Sequence, residues 1–314
     1  MKIAFWDNYL CERGTTTALY DYAYYNKYLL GNESIILYDK TNKNNLPEII
    51  KMFENEFDFV YGANGFDDAK EVITQQKCDV LYIIKYGTND GKVANNCKTV
   101  AHGVFVCTEP HGDVYCTVAP NLPGYNPNIP ILPHMINLPD TDENMRLELG
   151  IPEDAVVFGR YGGPGEFDDL DVQKILYKFL QDHPNIYAIF ANTNRFCNDL
   201  PNLIHLPRII DRKEKVRFIN TCDAMLWARY RGETFGLSIA EFSSRNKPVF
   251  CKRGYDENRH MELLGDKAVV YNYDNLYSML ETFNRKEARI KDWNAYRDYE
   301  PSKVMEIFER LINH

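Results

Sequence analysis

Ala224-Met225-Leu226-Trp227, then Arg229-Tyr230-Arg231-Gly232-Glu233-Thr234-Phe235-Gly236-Leu237-Ser238-Ile239-Ala240-Glu241, then Lys247-Pro248-Val249-Phe250-Cys251: an apolar run, a polar turn containing glycine, a helix-forming stretch and a second apolar run. Read as strand, turn, helix and strand, this is a βαβ unit of a parallel sheet. At such a turn the first N–H groups of the helix lack intrahelical partners, and the positive helix end lies at the carboxyl edge of the sheet. The turn is therefore an anion site, with phosphate its natural occupant. Glu233 precedes the helix and Glu241 stands about two turns into it, with seven residues between them. The two carboxylates can reach different parts of one extended ligand; an ordinary acid near a helix start and an exposed helix Glu would need no ligand at all.

Outward from this unit the same alternation fills the chain. Apolar runs at 156–158, 186–190 and 203–206 precede it and one at 269–271 follows, while Val172, Ile175, Leu176, Phe179 and Leu180 keep helical spacing. In the first half, runs at 3–6, 35–38, 57–61 and 80–84 read as strands; Leu19, Tyr22, Ala23 and Leu30 share a helical face that Gly31 terminates. From about Tyr115 the sequence is loop-like, with Pro120, Pro123, Pro127, Pro130 and Pro133 in succession and Pro139 and Pro152 beyond, which marks a boundary near 140–152. Val304, Ile307, Phe308, Leu311 and Ile312 make an amphipathic last helix after Pro301. The expected architecture is α/β, with two Rossmann-like domains, 1–145 and 146–290, facing across a cleft, and 291–314 a C-terminal helix packing back on the first.

The 314 residues are 45% hydrophobic and 26% charged, a balance that buries two cores and excludes disorder as the main state. A net charge of −9 leaves no global positive field for nucleic acid or an anionic membrane. No apolar run nears the roughly 20 residues of a membrane helix, and residues 1–10 lack a signal peptide's apolar region, so a cytoplasmic protein without a membrane span is expected. Eight scattered cysteines, with no C-x-x-C pair, predict reduced and mostly buried thiols. Asn32-Glu33-Ser34 is read as a chance match to a glycosylation acceptor.

Three further patterns fail on physical grounds. Gly87-Thr88-Asn89-Asp90-Gly91-Lys92 has three residues between its glycines where a phosphate loop has four, and Val93 stands where a hydroxyl would hold magnesium. Asp169-Leu170-Asp171 has the form of a metal-binding Asp-x-Asp, but it opens the helix carrying Val172, where carboxylates favour the helix dipole without any metal. No G-x-G-x-x-G follows the first strand, so a dinucleotide dehydrogenase lacks its fingerprint.

The string from Glu233 through Phe235-Gly236-Leu237 to Glu241 resembles the signature of family 4 retaining glycosyltransferases, which have the two-domain GT-B fold. Order and spacing elsewhere are similar: Val100-Ala101-His102-Gly103 looks like the family's strand ending in His, 113–120 like its next strand, 131–136 like the stretch before the linker, and 146–160 like the opening of the nucleotide domain. The resemblance implies that Glu233 touches the donor sugar hydroxyls, that Thr234, Phe235, Gly236 and Leu237 bind the diphosphate through backbone amides, and that Glu241 accepts the ribose hydroxyls. His102 would sit beside the transferred sugar and Arg160 would neutralise phosphate charge. Gly14 and Thr15 match the place of a glycine-rich loop near the diphosphate, and Pro207 and Arg208 would lie against the base. Where the family usually has a Lys five residues after the Arg, this chain has Gly165; Arg229, Arg231, Lys252, Arg253 or the N–H groups of the 162–165 turn are the open replacements.

The implied activity is transfer of a sugar from a nucleotide diphosphate sugar to a glycan, lipid-linked or small-molecule acceptor hydroxyl, with retention and without metal, other cofactor or side-chain nucleophile. The base, the sugar and the acceptor depend on pocket shape and on the loops 8–14, 62–68 and 104–112. Two other classes stay open: a GT-B 2-epimerase acting on the nucleotide sugar alone, and a nucleotide-sugar-binding protein with weak or no transfer, to which the missing Lys points.

Overall fold

The computed structural model describes residues 1–120 and 122–313; residue 314, the end of the expected C-terminal segment, lies outside them. The chain divides into two units, 1–137 with 298–314, and 138–297. Unit 1 runs β1 (Lys2–Asp7), α1 (Gly14–Tyr28), β2 (Glu33–Asp39), α2 (Pro47–Glu56), β3 (Phe59–Ala63), α3 (Phe66–Gln75), β4 (Val80–Lys85), β5 (Lys98–Gly103) and β6 (Val114–Thr117), and includes the last helix, Pro301–Asn313. Its strands pair in parallel in the order β3-β2-β1-β4-β5-β6. Strands covered on both faces need apolar residues throughout, and Ile3, Ala4, Phe5 and Trp6 are accordingly buried. The last helix buries Val304, Met305, Phe308 and Ile312; the Phe308 ring lies 5.3 Å from Tyr22 and 5.2 Å from Tyr82.

Two details depart from expectation. α1 ends at Tyr28, so Leu30 lies outside the helix whose face it was expected to share. Phe57 closes α2 and does not open β3: its N–H bonds Phe53 O at 2.9 Å, and its ring packs edge-on against Tyr20. An apolar residue that seals a helix end reads, in sequence alone, like the first residue of a strand.

Unit 2 runs β7 (Val156–Tyr161), α4 (Leu170–Asp182), β8 (Ile186–Ala191), β9 (Leu203–Leu206), α5 (Arg212–Thr221), β10 (Ala224–Leu226), β11 (Gly232–Glu233), α6 (Leu237–Ser244), β12 (Val249–Cys251), β13 (Glu257–Asn258), α7 (Arg259–Leu264), β14 (Ala268–Val270), α8 (Leu276–Glu281) and α9 (Arg285–Ile290). The sheet order is β14-β12-β10-β7-β8-β9, again parallel, and β11 with β13 forms a separate two-stranded pair. In each sheet the order reverses between the unit's first and fourth strands, β1 and β4 in one, β7 and β10 in the other. Open α/β sheets take their ligands at the carboxyl ends of the strands flanking such a reversal. No helix among the described residues is long and apolar enough to cross a membrane. Cys78, Cys107, Cys116, Cys222 and Cys251 are buried free thiols; Cys11, Cys97 and Cys197 are half-buried.

Candidate functional site

The polar turn after β10 is built by two glycines. Gly232 has φ +99°, and a Cβ there would stand 1.6 Å from Glu257 O, so only glycine permits the pairing of Gly232 with Glu257 and of Glu233 with Asn258. That pairing fixes Glu233. Gly236, at φ +78° in the left-handed region, then turns the chain into α6. Between them Phe235 buries its ring, and its carbonyl accepts the Tyr296 hydroxyl at 3.2 Å. The backbone of Thr234 to Leu237 is thus held with the opening of α6 at the sheet edge, the geometry of an anion site.

Around this turn the charges alternate. Arg160, near the end of β7, is buried; it donates to Thr193 Oγ1 at 2.8 Å and lies 3.6 Å from Glu166. Glu166 is 3.4 Å from Arg229, and Arg229 donates to Glu233 Oε2 at 3.0 Å. Trp227 Nε1 donates to the other Glu233 oxygen at 3.4 Å. Burial pushes the Glu233 carboxyl up to about 7, against the pull of Arg229. Its side chain is nevertheless 17% exposed, open enough to meet a ligand.

Glu241 is one turn into α6, not two, and it is buried rather than an exposed helix acid. Its Oε1 accepts from Lys215 Nζ at 3.0 Å and its Oε2 from the Tyr161 hydroxyl. The Tyr161 ring lies against Phe218 and Phe242, and burial raises its phenol well above the usual range. Tyr161 follows Arg160, so both motif carboxylates are tied to the end of β7, Glu241 through Tyr161 and Glu233 through Arg229, Glu166 and Arg160. Sequence reading missed Tyr161, Lys215 and Glu166 as members of the site. They come from separate segments, and no spacing rule links them to the motif.

The remaining expected residues lie as follows. Pro207 and Arg208 are exposed just after β9. Arg231 is 2.9 Å from Glu257, Arg253 is exposed, and Gly165 is an open position where a Cβ would meet nothing within 4 Å. Lys252 is engaged elsewhere: it lies 2.8 Å from Asp169, whose carboxylate also accepts Tyr273 OH at 2.9 Å and caps α4 through Val172 N at 3.2 Å. Asp169 is therefore a helix cap. In unit 1, Gly14 and Thr15 open α1 behind Arg13, which pairs with the buried Asp7; Asp7 also accepts Thr16 Oγ1 at 2.6 Å. His102 is enclosed, with Nδ1 2.7 Å from Tyr82 OH and its ring 5.6 Å from that of His134. Burial, with His134 beside it, pushes the His102 imidazole well below its usual range. At the end of β4, the buried Lys85 pairs with Asp90 at 2.5 Å and with His111 Nε2 at 2.7 Å, a cluster the sequence did not announce.

No protein-family model matches this chain, and no curated protein does. Solved structures do match. The chain is similar to Alr3699/HepE of Anabaena in complex with UDP-glucose, with a TM-score of 0.71 and 14% identity over 100% of both chains. It is similar to a glycosyltransferase from Rickettsia africae ESF-5, with a TM-score of 0.68 and 13% identity over 99% of this chain and 97% of that one. A protein of Listeria monocytogenes named for UDP-N-acetylglucosamine 2-epimerase activity matches with a TM-score of 0.62 and 11% identity, over 97% and 94%. At these identities the likeness establishes the fold: α/β, of the GT-B type, with two parallel six-stranded sheets.

Proposed function

We propose that this chain is a glycosyltransferase that moves a sugar from a nucleoside diphosphate sugar to an acceptor hydroxyl, with retention at the anomeric carbon and without a metal or other cofactor. One observation carries the reading: at the strand reversal of the second sheet, Glu166 bridges Arg160 and Arg229, and Arg229 pairs with Glu233 just ahead of the opening of α6. Arg160, Arg229 and the amides of Thr234 to Leu237 would hold the diphosphate and absorb charge as it leaves, which stabilises the transition state without a nucleophilic side chain. Arg229 would supply the cation absent at Gly165. Glu233 would accept sugar hydroxyls and Glu241 the ribose hydroxyls, with Pro207 and Arg208 at the base. In unit 1, Gly14 and Thr15 are assigned to the diphosphate and His102 to the sugar. HepE binds UDP-glucose in the same fold, so uridine nucleotides are the first donors to try.

The test is a thermal-shift screen of nucleoside diphosphates followed by transfer assays with excess EDTA present. A nucleoside diphosphate should raise the melting temperature, since a ligand bound only by the folded state stabilises it. Glu233→Gln and His102→Ala should each keep that affinity within a few fold while transfer falls about 100-fold. Proton NMR of the first product should show the donor's anomeric configuration. Inversion, or activity lost to EDTA and restored by manganese, overturns the mechanism. Turnover without acceptor points instead to a sugar-nucleotide 2-epimerase, the activity for which the Listeria neighbour is named.

A further inference from the structure

The turn after β7, Gly162-Gly163-Pro164-Gly165-Glu166, folds its own carboxylate into the arginine pair. Glu166 Oε2 accepts the Gly163 N–H at 2.8 Å and stands 3.6 Å from Arg160, while Oε1 stands 3.4 Å from Arg229. Two guanidinium groups and a backbone N–H converging on two oxygens make the coordination that a phosphate group accepts. The glycines make room for it. A Cβ on Gly163 would stand 2.8 Å from Glu166 Cδ, and one on Gly162 would stand 2.6 Å from Arg160 Nη2 and 3.2 Å from Glu166 Oε2. The Glu166 side chain is still 37% exposed, so it can swing out into solvent.

We infer that Glu166 is a built-in competitor for the phosphate position, a specificity-determining residue that an incoming diphosphate must displace from Arg160 and Arg229. This rests on the diphosphate reading of the same site. Without a ligand the carboxylate gives Arg160 a counter-charge and shares Arg229 with Glu233, so that neither partly buried cation lies unpaired. A ligand carrying a single negative charge only exchanges one such group for another. A diphosphate brings more charge and more acceptor oxygens, and so gains from the exchange. Glu166 thereby biases the site toward polyanions and lowers the affinity of each one it admits.

Titration calorimetry with inorganic pyrophosphate and with UDP, on the full chain and two variants, tests this. Glu166→Gln keeps the shape and removes the charge. Gly163→Ala keeps the charge and closes the cradle, which pushes the carboxylate out. Each variant should bind pyrophosphate about tenfold more tightly than the wild type, with circular dichroism confirming the fold. If the wild type binds and both variants bind equally or more weakly, Glu166 is a ligand-holding or arginine-positioning residue and the competitor inference falls alone. If none of the three binds pyrophosphate or UDP, the diphosphate reading falls and takes this inference with it. Binding by the variants but not by the wild type is the strongest support.

Discussion

At the scale of single residues, Glu241 shows how a motif position acquires its meaning from partners far away in sequence. Its carboxylate satisfies Lys215 and the half-buried Tyr161 hydroxyl, so its removal leaves two polar groups without this acceptor. Glu241→Ala should therefore lower the melting temperature of the unliganded protein, at a cost of about 1–3 kcal/mol. It should also reduce the shift produced by a nucleoside diphosphate; an undiminished shift removes Glu241 from the ligand site even if the protein is destabilised. Gly165 offers the converse experiment. The position is open, so Gly165→Lys adds a cation without a clash and should strengthen diphosphate binding about threefold, with the gain fading as salt is raised. The pair Glu233 and Glu241 could be found from sequence because both lie on one strand-turn-helix segment. Tyr161, Glu166 and Lys215 could not, because only the packing of β7, the following turn and α5 around α6 brings them there.

At the scale of elements, the long apolar strands were legible because strands covered on both faces demand continuous apolar runs. The two-residue pair of β11 and β13 was not, since two residues carry no periodicity and the pairing depends on a backbone approach. Gly254 shows the same crowding from the partner segment: a Cβ there would stand 2.3 Å from Gly232 Cα. The pair fixes Glu233, so its integrity should govern function. Gly232→Ala faces both a positive φ and a main-chain oxygen, neither of which can yield cheaply. It should cost at least about 2 kcal/mol in urea unfolding and abolish the nucleotide-induced thermal shift. A variant with wild-type stability and an intact shift would show that the pair is not what positions Glu233.

At the scale of the whole molecule, the two units carry buried titratable groups that respond to acid in different ways. In unit 1, burial lowers the His134 imidazole to about 3 and His102 well below its usual range. Between pH 6.5 and 3 the unfolded chain binds protons at these sites that the folded chain refuses, so stability falls as the pH falls. His134 costs about 2 kcal/mol on going from pH 6.5 to 5, and His102 acts in the same direction. In unit 2, burial lowers His260 to about 4 and acts in the same direction. Glu233, raised to about 7 by burial, acts in the opposite one: the folded state holds its proton more tightly, so stability rises as the pH falls from 7 toward 4.5. Acidification from pH 7.5 to 5 should therefore weaken unit 1 more than unit 2. Hydrogen exchange read by mass spectrometry separates them, with β1 and β5 losing protection ahead of β7 and β10. His134→Gln removes one titrating group and should flatten the loss in unit 1 by about the amount assigned to a single histidine, leaving unit 2 unchanged. Equal acid slopes in wild type and variant would mean that the His134 imidazole takes up its proton within the folded core and does not set the acid response of unit 1.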